Sequence, residues 1–297
     1  MDASVAIYTQ LASHIESLSR KGQSEIIFAE SVGSCTDLIA TVIKPLHKFT
    51  QAESVVLSVF ADAGLLASFF LKHRKFFIGK INYIYDKQLE EADILVVSKI
   101  DTLKDDQLEA LQKAMASKFR HKIILYQNSR DPEHLQLWLS TLSNFIPESS
   151  RQSLSINYDD YAAGEAEMAW FDGELKIESQ RNNAGEIGIQ LINHIFQNLK
   201  AHKAAIGHLK FLIHNREEKI KVSFTSLQEE KKYSALVSDS KEMMLLINAR
   251  VETDPDSLEK IIMDSIHYES LHGHCILEMK HKHAFQPGYP TPTHRMA

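Results

Sequence analysis

The 297-residue chain has a formal net charge of −6, with 44% hydrophobic and 24% charged residues, a composition typical of soluble globular proteins. Its length suits two domains, and the acidic balance argues against a nucleic-acid partner. It has only two cysteines, Cys35 and Cys275, so we expect no disulfide framework and a cytoplasmic location. The N-terminus lacks a signal-peptide pattern and no apolar run reaches 18 residues, so no membrane association is expected.

The first half of the chain alternates short apolar strands with amphipathic helices. Continuous β-branched runs separated by helices predict a parallel sheet with helices on both faces. The polar stretch 147–153 reads as a linker. The predicted strands are 25–29, 54–60, 93–98 and 122–127, and the predicted helices are 5–18, 36–44, 82–91, 104–119 and 132–145.

The second half has a different order, β-α-β-β-α-β with an extra strand. This order predicts a ferredoxin-like α+β domain. We therefore expect two domains, residues 1–148 with an incomplete nucleotide-binding sheet and residues 149–297 with the α+β fold. The predicted strands are 161–179, 205–214, 219–225, 243–251 and 274–285, with helices at 186–201 and 256–271.

The first candidate site follows the apolar stretch 25–29, where Glu30 and Gly33 form an E-x-x-G pattern. In nucleotide switches, an acidic residue at a strand end holds magnesium, and a glycine lets a backbone N–H approach the terminal phosphate. The pattern is short, and taken alone it fits a strand end with a turn glycine better. Cys35, two residues further on, fits a small core residue better than a metal ligand.

The second candidate site follows the apolar stretch 93–98, in the sequence Ser98-Lys99-Ile100-Asp101. A carboxylate at Asp101 can accept from both N1–H and N2–H of guanine, and the stem of Lys99 can pack over the base. Asparagine is the usual first residue of a guanine-reading motif of this kind, so Ser98 departs from the usual pattern. The alternative interpretation is a helix cap at Asp101. Asp62 likewise fits either a helix cap or a residue on the nucleotide side of the sheet.

A phosphate-binding loop requires G-x-x-x-x-G-K-[ST], and the sequence does not contain it. The sole Gly-Lys pair, Gly79-Lys80, has Arg74 in place of the first glycine and Ile81 in place of Ser or Thr. Without the N–H cradle of that loop we expect weak triphosphate binding, and no GTP hydrolysis by this chain alone.

On these residues the chain resembles the CobW-like branch of the CobW/HypB/UreG family of metal-chaperone GTPases. Further likeness lies in its second half, in Tyr161-Ala-Ala-Gly-Glu-Ala-Glu-Met-Ala-Trp170, in Ile206-Gly-His-Leu-Lys-Phe211 and in the proline-rich tail 285–295. The resemblance implies GTP and Mg²⁺ as cofactors. Glu30 and Gly33 would then be the switch pair, and Lys99 and Asp101 the base readers.

The resemblance also implies delivery of zinc, cobalt or a related metal to a client protein that requires it. The family's phosphate loop and Cys-x-Cys-Cys metal motif have no counterpart in this sequence. We therefore expect a part of a longer or split protein, in which a separate polypeptide, or self-association, completes the nucleotide site. The competing hypothesis is a non-enzymatic module that binds a partner or a metal.

The last predicted strand offers candidate metal ligands. His281 and His283 are two residues apart, so on a strand they point the same way and could share Zn²⁺ or Co²⁺. Cys275, or His294 from the tail, could complete the set. The alternative is a solvated strand with ordinary histidines, since the chain has 15 of them.

Overall fold

A computed structural model describes residues 26–31, 33–49, 54–71, 79–147, 151–215, 217–227 and 240–296. The described chain divides into two compact units, one within Met1–Gly164 and Tyr289–Ala297 and the other within Glu165–Gly288. No helix in these ranges combines the length and apolarity needed to cross a membrane. The predicted helix 5–18 lies outside the described residues.

The first unit is built on a three-stranded parallel sheet with the order β1-β2-β3. Its central strand β2 is buried on both faces, as the continuous apolar run of Ile94–Ser98 requires. The partial parallel sheet with flanking helices is thus confirmed. The elements are a π-helix Ile39–Ile43, α1 Lys44–Phe49, β1 Ser58–Asp62, α2 Ala63–Leu71, α3 Ile81–Glu91, β2 Ile94–Ser98, a 3₁₀ turn Ile100–Thr102, α4 Asp105–Lys118, β3 Ile123–Gln127, α5 Pro132–Asn144 and α6 Tyr158–Ala166.

The core of this unit lies on one face of the sheet, under α2, α3 and α4. Leu95 and Val97 of the central strand pack there with Leu66, Leu111 and Met115, all at 1% exposure or less. Burying these five side chains removes each from water at a gain of about 1.5–3 kcal/mol, which anchors α2 and α4 to the sheet.

The predicted strand 25–29 is wrong for its described part. Residues 26–30 carry no strand, and Ile26 and Phe28 are more than half exposed. Phe28 instead packs its ring against Trp138 of α5, with 5.6 Å between centroids. The apolar residues of this stretch therefore reflect packing of side chains such as Phe28 against a helix, and not backbone pairing with a neighbouring strand.

The predicted strand 161–179 is correct only in its second part. Residues 158–166 form α6, because the side chain of Asn157 accepts hydrogen bonds from the amides of Asp159 (3.0 Å) and Asp160 (3.3 Å). An asparagine at this position is a strong helix N-cap, a signal that the sequence contained. The strand begins at Ala169.

The second unit is a five-stranded antiparallel sheet with the order β6-β5-β7-β4-β8. Two helices cover one face, where Phe171, Leu175 and Ile247 alternate with outward-facing polar residues, as the period of a strand dictates. The element order matches the predicted one. The elements are β4 Ala169–Ser179, α7 Ala184–Ala201, β5 Ile206–His214, β6 Lys219–Phe224, β7 Glu242–Val251, α8 Pro255–His272 and β8 Cys275–Phe285.

Candidate nucleotide site

The carboxyl ends of the three parallel strands form one row of polar residues. Asp62 ends β1, Ser98 ends β2 and Gln127 ends β3, and the sheet register places the three side by side. In open parallel sheets, ligands bind outside this edge, so the row marks the side on which a site is expected. Asp62 is a candidate from the sequence, whereas no sequence pattern points to Gln127.

Lys99 directly follows this row and has a left-handed backbone, with φ of 59°. This conformation is uncommon for a residue with a side chain, and it turns the chain sharply off β2 into the 3₁₀ turn. The Lys99 ammonium lies 3.0 Å from the Asp62 carboxylate. The hydroxyl of Thr102 donates to the Lys99 carbonyl at 2.7 Å and closes the turn.

Asp62 is a helix cap, one of the two interpretations that the sequence left open. Its Oδ1 accepts from the amides of Gly64 (2.8 Å) and Leu65 (3.1 Å), which caps α2, while its Oδ2 binds Lys99. The carboxylate therefore fixes the start of α2 and the position of Lys99 at once. Asp101 lies in the same turn as Lys99 and is exposed to solvent.

Ser98, the residue that departs from the usual motif, has a specific contact. Its hydroxyl donates to the carbonyl of Ala61 at 3.1 Å and ties the ends of β1 and β2 together. A serine can therefore hold this turn in place in the absence of an asparagine amide. On β3, Gln127 is 2% exposed, and its Oε1 has no hydrogen-bond partner within the described chain.

The other predicted pair, Glu30 and Gly33, lies on the segment that precedes the π-helix. Both residues are exposed, and Gln88 of α3 donates to the carbonyls of Gly33 (2.8 Å) and Cys35 (2.9 Å). A Cβ added at Gly33 would meet no atom of the described residues within 4 Å. Packing in this structure therefore gives no reason for a glycine at position 33.

The predicted metal ligands lie on β8 in the second unit. His281 and His283 are both exposed, and His283 stacks on Phe285 with 4.5 Å between ring centroids. Cys275 lies six residues before His281, about 20 Å along an extended strand, which is too far for one ion to bind all three. Burial raises the pKa of the Cys275 thiol, and the nearby Glu269 carboxylate raises it further.

Across the described ranges, no group of three or more His, Cys, Asp or Glu side chains is arranged to hold a metal ion. The three-ligand set with Cys275 is thus not formed within one chain. The pairing of His281 with His283 stays a prediction.

Comparison with known proteins gives one match. The family described as "CobW/HypB/UreG, nucleotide-binding domain" matches residues 5–125, a range that includes Glu30, Gly33, Lys99 and Asp101. No curated protein and no solved structure matches the chain.

Proposed function

We propose that this chain, whose residues 5–125 belong to the CobW/HypB/UreG nucleotide-binding family, is a GTP-binding protein of the metallochaperone type. The observation that carries the proposal is the turn Lys99–Asp101 at the carboxyl edge of the parallel sheet, beside Asp62 and Ser98. The family match by itself gives only a range of residues and does not say where in the fold a nucleotide would bind. The position of the turn at the edge where ligands of such sheets bind supports a role for Lys99 and Asp101 as base readers.

In this proposal Asp101 reads the guanine base. Its exposed carboxylate accepts from N1–H and N2–H, a pair of donors that adenine does not offer. A bidentate contact of this kind is worth about 1–3 kcal/mol of discrimination between bases. Lys99 lays its methylene stem along the base while Asp62 holds its ammonium at 3.0 Å.

Glu30 and Gly33 act as the switch pair in the same proposal, Glu30 toward Mg²⁺ and Gly33 toward the terminal phosphate. The open space around Gly33 supports this role, since no neighbour among the described residues excludes a side chain there. A glycine that packing does not require is accounted for by close approach of a ligand to the backbone.

The phosphates need donors that these residues do not supply. We propose that a segment outside these 297 residues, on a separate polypeptide, contributes the phosphate-binding loop, and that this chain alone does not hydrolyse GTP. In this assignment residues 1–148 form the nucleotide-binding domain and residues 149–297 a ferredoxin-like domain. The order β-α-β-β-β-α-β, with β6 as the extra edge strand, supports the second assignment.

The cargo in this proposal is zinc or cobalt, delivered to a client protein that requires the metal. His281 and His283, exposed on the edge strand β8, are the candidate contacts of the metal in this chain. Two imidazoles leave coordination positions open, which suits a metal that is passed on rather than kept.

The test is calorimetry on the full chain with millimolar Mg·GTP, Mg·ATP as the reference nucleotide, and Zn²⁺ in a separate titration. We expect GTP to bind at least tenfold more tightly than ATP. Asp101→Asn should abolish that preference and favour the xanthine nucleotide, because its amide donates where the carboxylate accepted. Asp105→Asn, an exposed aspartate at the start of α4, is the matched control.

Equal binding of GTP and ATP, or a preference that survives Asp101→Asn, would refute the assignment of Asp101 as the base reader. Zn²⁺ affinity that is unchanged when His281 and His283 are both replaced by alanine would refute the assignment of the metal contacts.

A further inference from the structure

The segment that follows Gly33 has an unusual backbone. Asp37 adopts a left-handed conformation with φ of 62°, and residues Ile39–Ile43 form a π-helix in place of an α-helix. Both features are rare and cost conformational energy, so they persist only where the surroundings enforce them. The segment is therefore held in place by its neighbours and not by its own preference.

One neighbour is helix α3. Gln88 binds the carbonyls of Gly33 and Cys35, and the buried carboxylate of Glu91 accepts from the amide of Ile39 at 2.6 Å. Both side chains project from the same helix, so α3 binds the segment at several points between residues 33 and 39.

The other neighbour is the C-terminal end of the chain. The Asp37 side chain is fully buried, and its Oδ2 accepts from Arg295 Nε at 2.8 Å and from the Tyr158 hydroxyl at 2.7 Å. Its Oδ1 has no partner within the described chain. Burial and the Asp37 carboxylate both raise the pKa of Tyr158, so its hydroxyl stays a donor.

Further hydrogen bonds at Arg295 and Met296 fasten the tail beside this ion pair. The amide of Met296 donates to the carbonyl of Ala40 at 2.9 Å, and the Ser153 hydroxyl donates to the carbonyl of Met296 at 2.7 Å. Arg295 Nη2 donates to the carbonyl of Leu154 at 3.0 Å. Residues 289–296, which we call the strap, thus cross the start of the π-helical segment and are tied down beyond it.

The two partners of the ion pair differ in exposure. The Arg295 side chain is 36% exposed, while the Asp37 side chain has no exposed surface. The guanidinium of Arg295 can therefore become fully solvated at little energetic cost when the strap moves away. The aspartate would remain as a buried charge without a cation, which is strongly unfavourable. The segment must then rearrange to bring Asp37 to solvent.

We propose that residues 289–296 are a strap that locks the segment Gly33–Ile43 in its strained conformation, with the Asp37–Arg295 ion pair as the latch. Opening the latch releases the left-handed Asp37 and lets the π-helix relax. The role of this segment as part of a nucleotide switch rests on the proposed function. The latch does not, because it consists of contacts within the chain.

The test is hydrogen–deuterium exchange on the full chain without nucleotide, comparing wild type with Arg295→Gln. The amide of Thr41, which donates to the Asp37 carbonyl at 2.9 Å, is the reporter. We expect exchange across residues 33–43 to be at least tenfold faster in Arg295→Gln, with the sheet of the second unit unchanged. Arg120→Gln, an exposed arginine on the surface, is the control and should change neither.

Two further variants distinguish a latch from general destabilisation. Asp37→Asn removes the buried charge, so in the double variant with Arg295→Gln we expect slower exchange than in Arg295→Gln alone. Arg295→Lys keeps the charge without the planar fork and should be intermediate, and it serves in place of Arg295→Gln should that protein not fold.

Unchanged protection at Thr41 in both Arg295 variants would overturn the proposal. So would faster exchange spread evenly over both units, or a double variant that exchanges faster than Arg295→Gln. Since no nucleotide is used, absence of GTP binding would count against the proposed function and leave this result standing.

Discussion

Glu91 is a carboxylate that the fold holds in a position unfavourable to its charge. The residue is 2% exposed at the end of α3, and burial raises its pKa from 4.5 to about 7. The amides of Ile39 and Leu38 lower it and the Asp37 carboxylate raises it, but burial is the largest effect. At neutral pH the folded protein therefore bears the cost of a partly ionised buried group.

The effect on stability follows from the sign of the shift. The folded-state pKa is above the unfolded value, so the stabilising contribution is fully present below pH 4.5 and is lost as the pH rises through 7. A shift of this size corresponds to roughly 3 kcal/mol over the whole range, and to about 2–3 kcal/mol between pH 5 and pH 8.

Glu91→Gln removes this titration while keeping an oxygen to accept from the amide of Ile39 at the present 2.6 Å contact. We expect wild type to lose about 2–3 kcal/mol between pH 5 and pH 8 relative to the variant. Urea unfolding at both pH values measures this difference, as a shift of roughly 1 M in relative midpoint for a typical m-value. Glu109→Gln, an exposed glutamate of α4, is the control and should follow wild type.

Parallel pH profiles for wild type and Glu91→Gln would refute the reasoning, since they would mean that Glu91 has the same pKa in the folded and unfolded chain. A variant that is less stable than wild type by the same amount at both pH values would show that only the hydrogen bond matters.

Two other predictions concern packing and a partly buried histidine. Gly164→Ala should destabilise the first unit by about 1–3 kcal/mol in urea unfolding, because the new Cβ would lie 2.8 Å from the carbonyl oxygen of Lys80. Gly288→Ala is the control and should be neutral, because its new Cβ meets no atom of the described chain within 4 Å. Burial lowers the pKa of His208 from 6.5 to about 4. The contribution of this neutral histidine to the stability of the folded state is therefore present above pH 6.5 and is lost as the pH falls through 4. His208→Gln should flatten the fall in stability between pH 6.5 and pH 4 by roughly 3 kcal/mol, while the exposed His202→Gln should not, and equal slopes in both variants would contradict the shift.

Local patterns in the sequence determined most of the secondary structure. The buried run 93–98 predicted β2, and Asp131 before Pro132 predicted the start of α5, where the Asp131 side chain accepts from the amide of Glu133 at 2.9 Å. Alternation in the second half predicted its strands to within a few residues, except for the strand predicted at 161–179, which begins at Ala169. These features are set by the periods of strands and helices and by side chains that bond their own backbone, so neighbouring residues carry the information.

The sequence also located the turn 98–101, but only the tertiary structure decided what surrounds it. Asp62 and Ser98 become neighbours through the register of parallel strands, whereas the described residues 26–29 have the apolar pattern of a strand but form none. Asp37 and Arg295 are 258 positions apart in the sequence, and no local pattern around either residue predicts that the two form an ion pair. A periodic pattern tells which face of an element is apolar, whereas the choice of partner depends on how the whole chain packs.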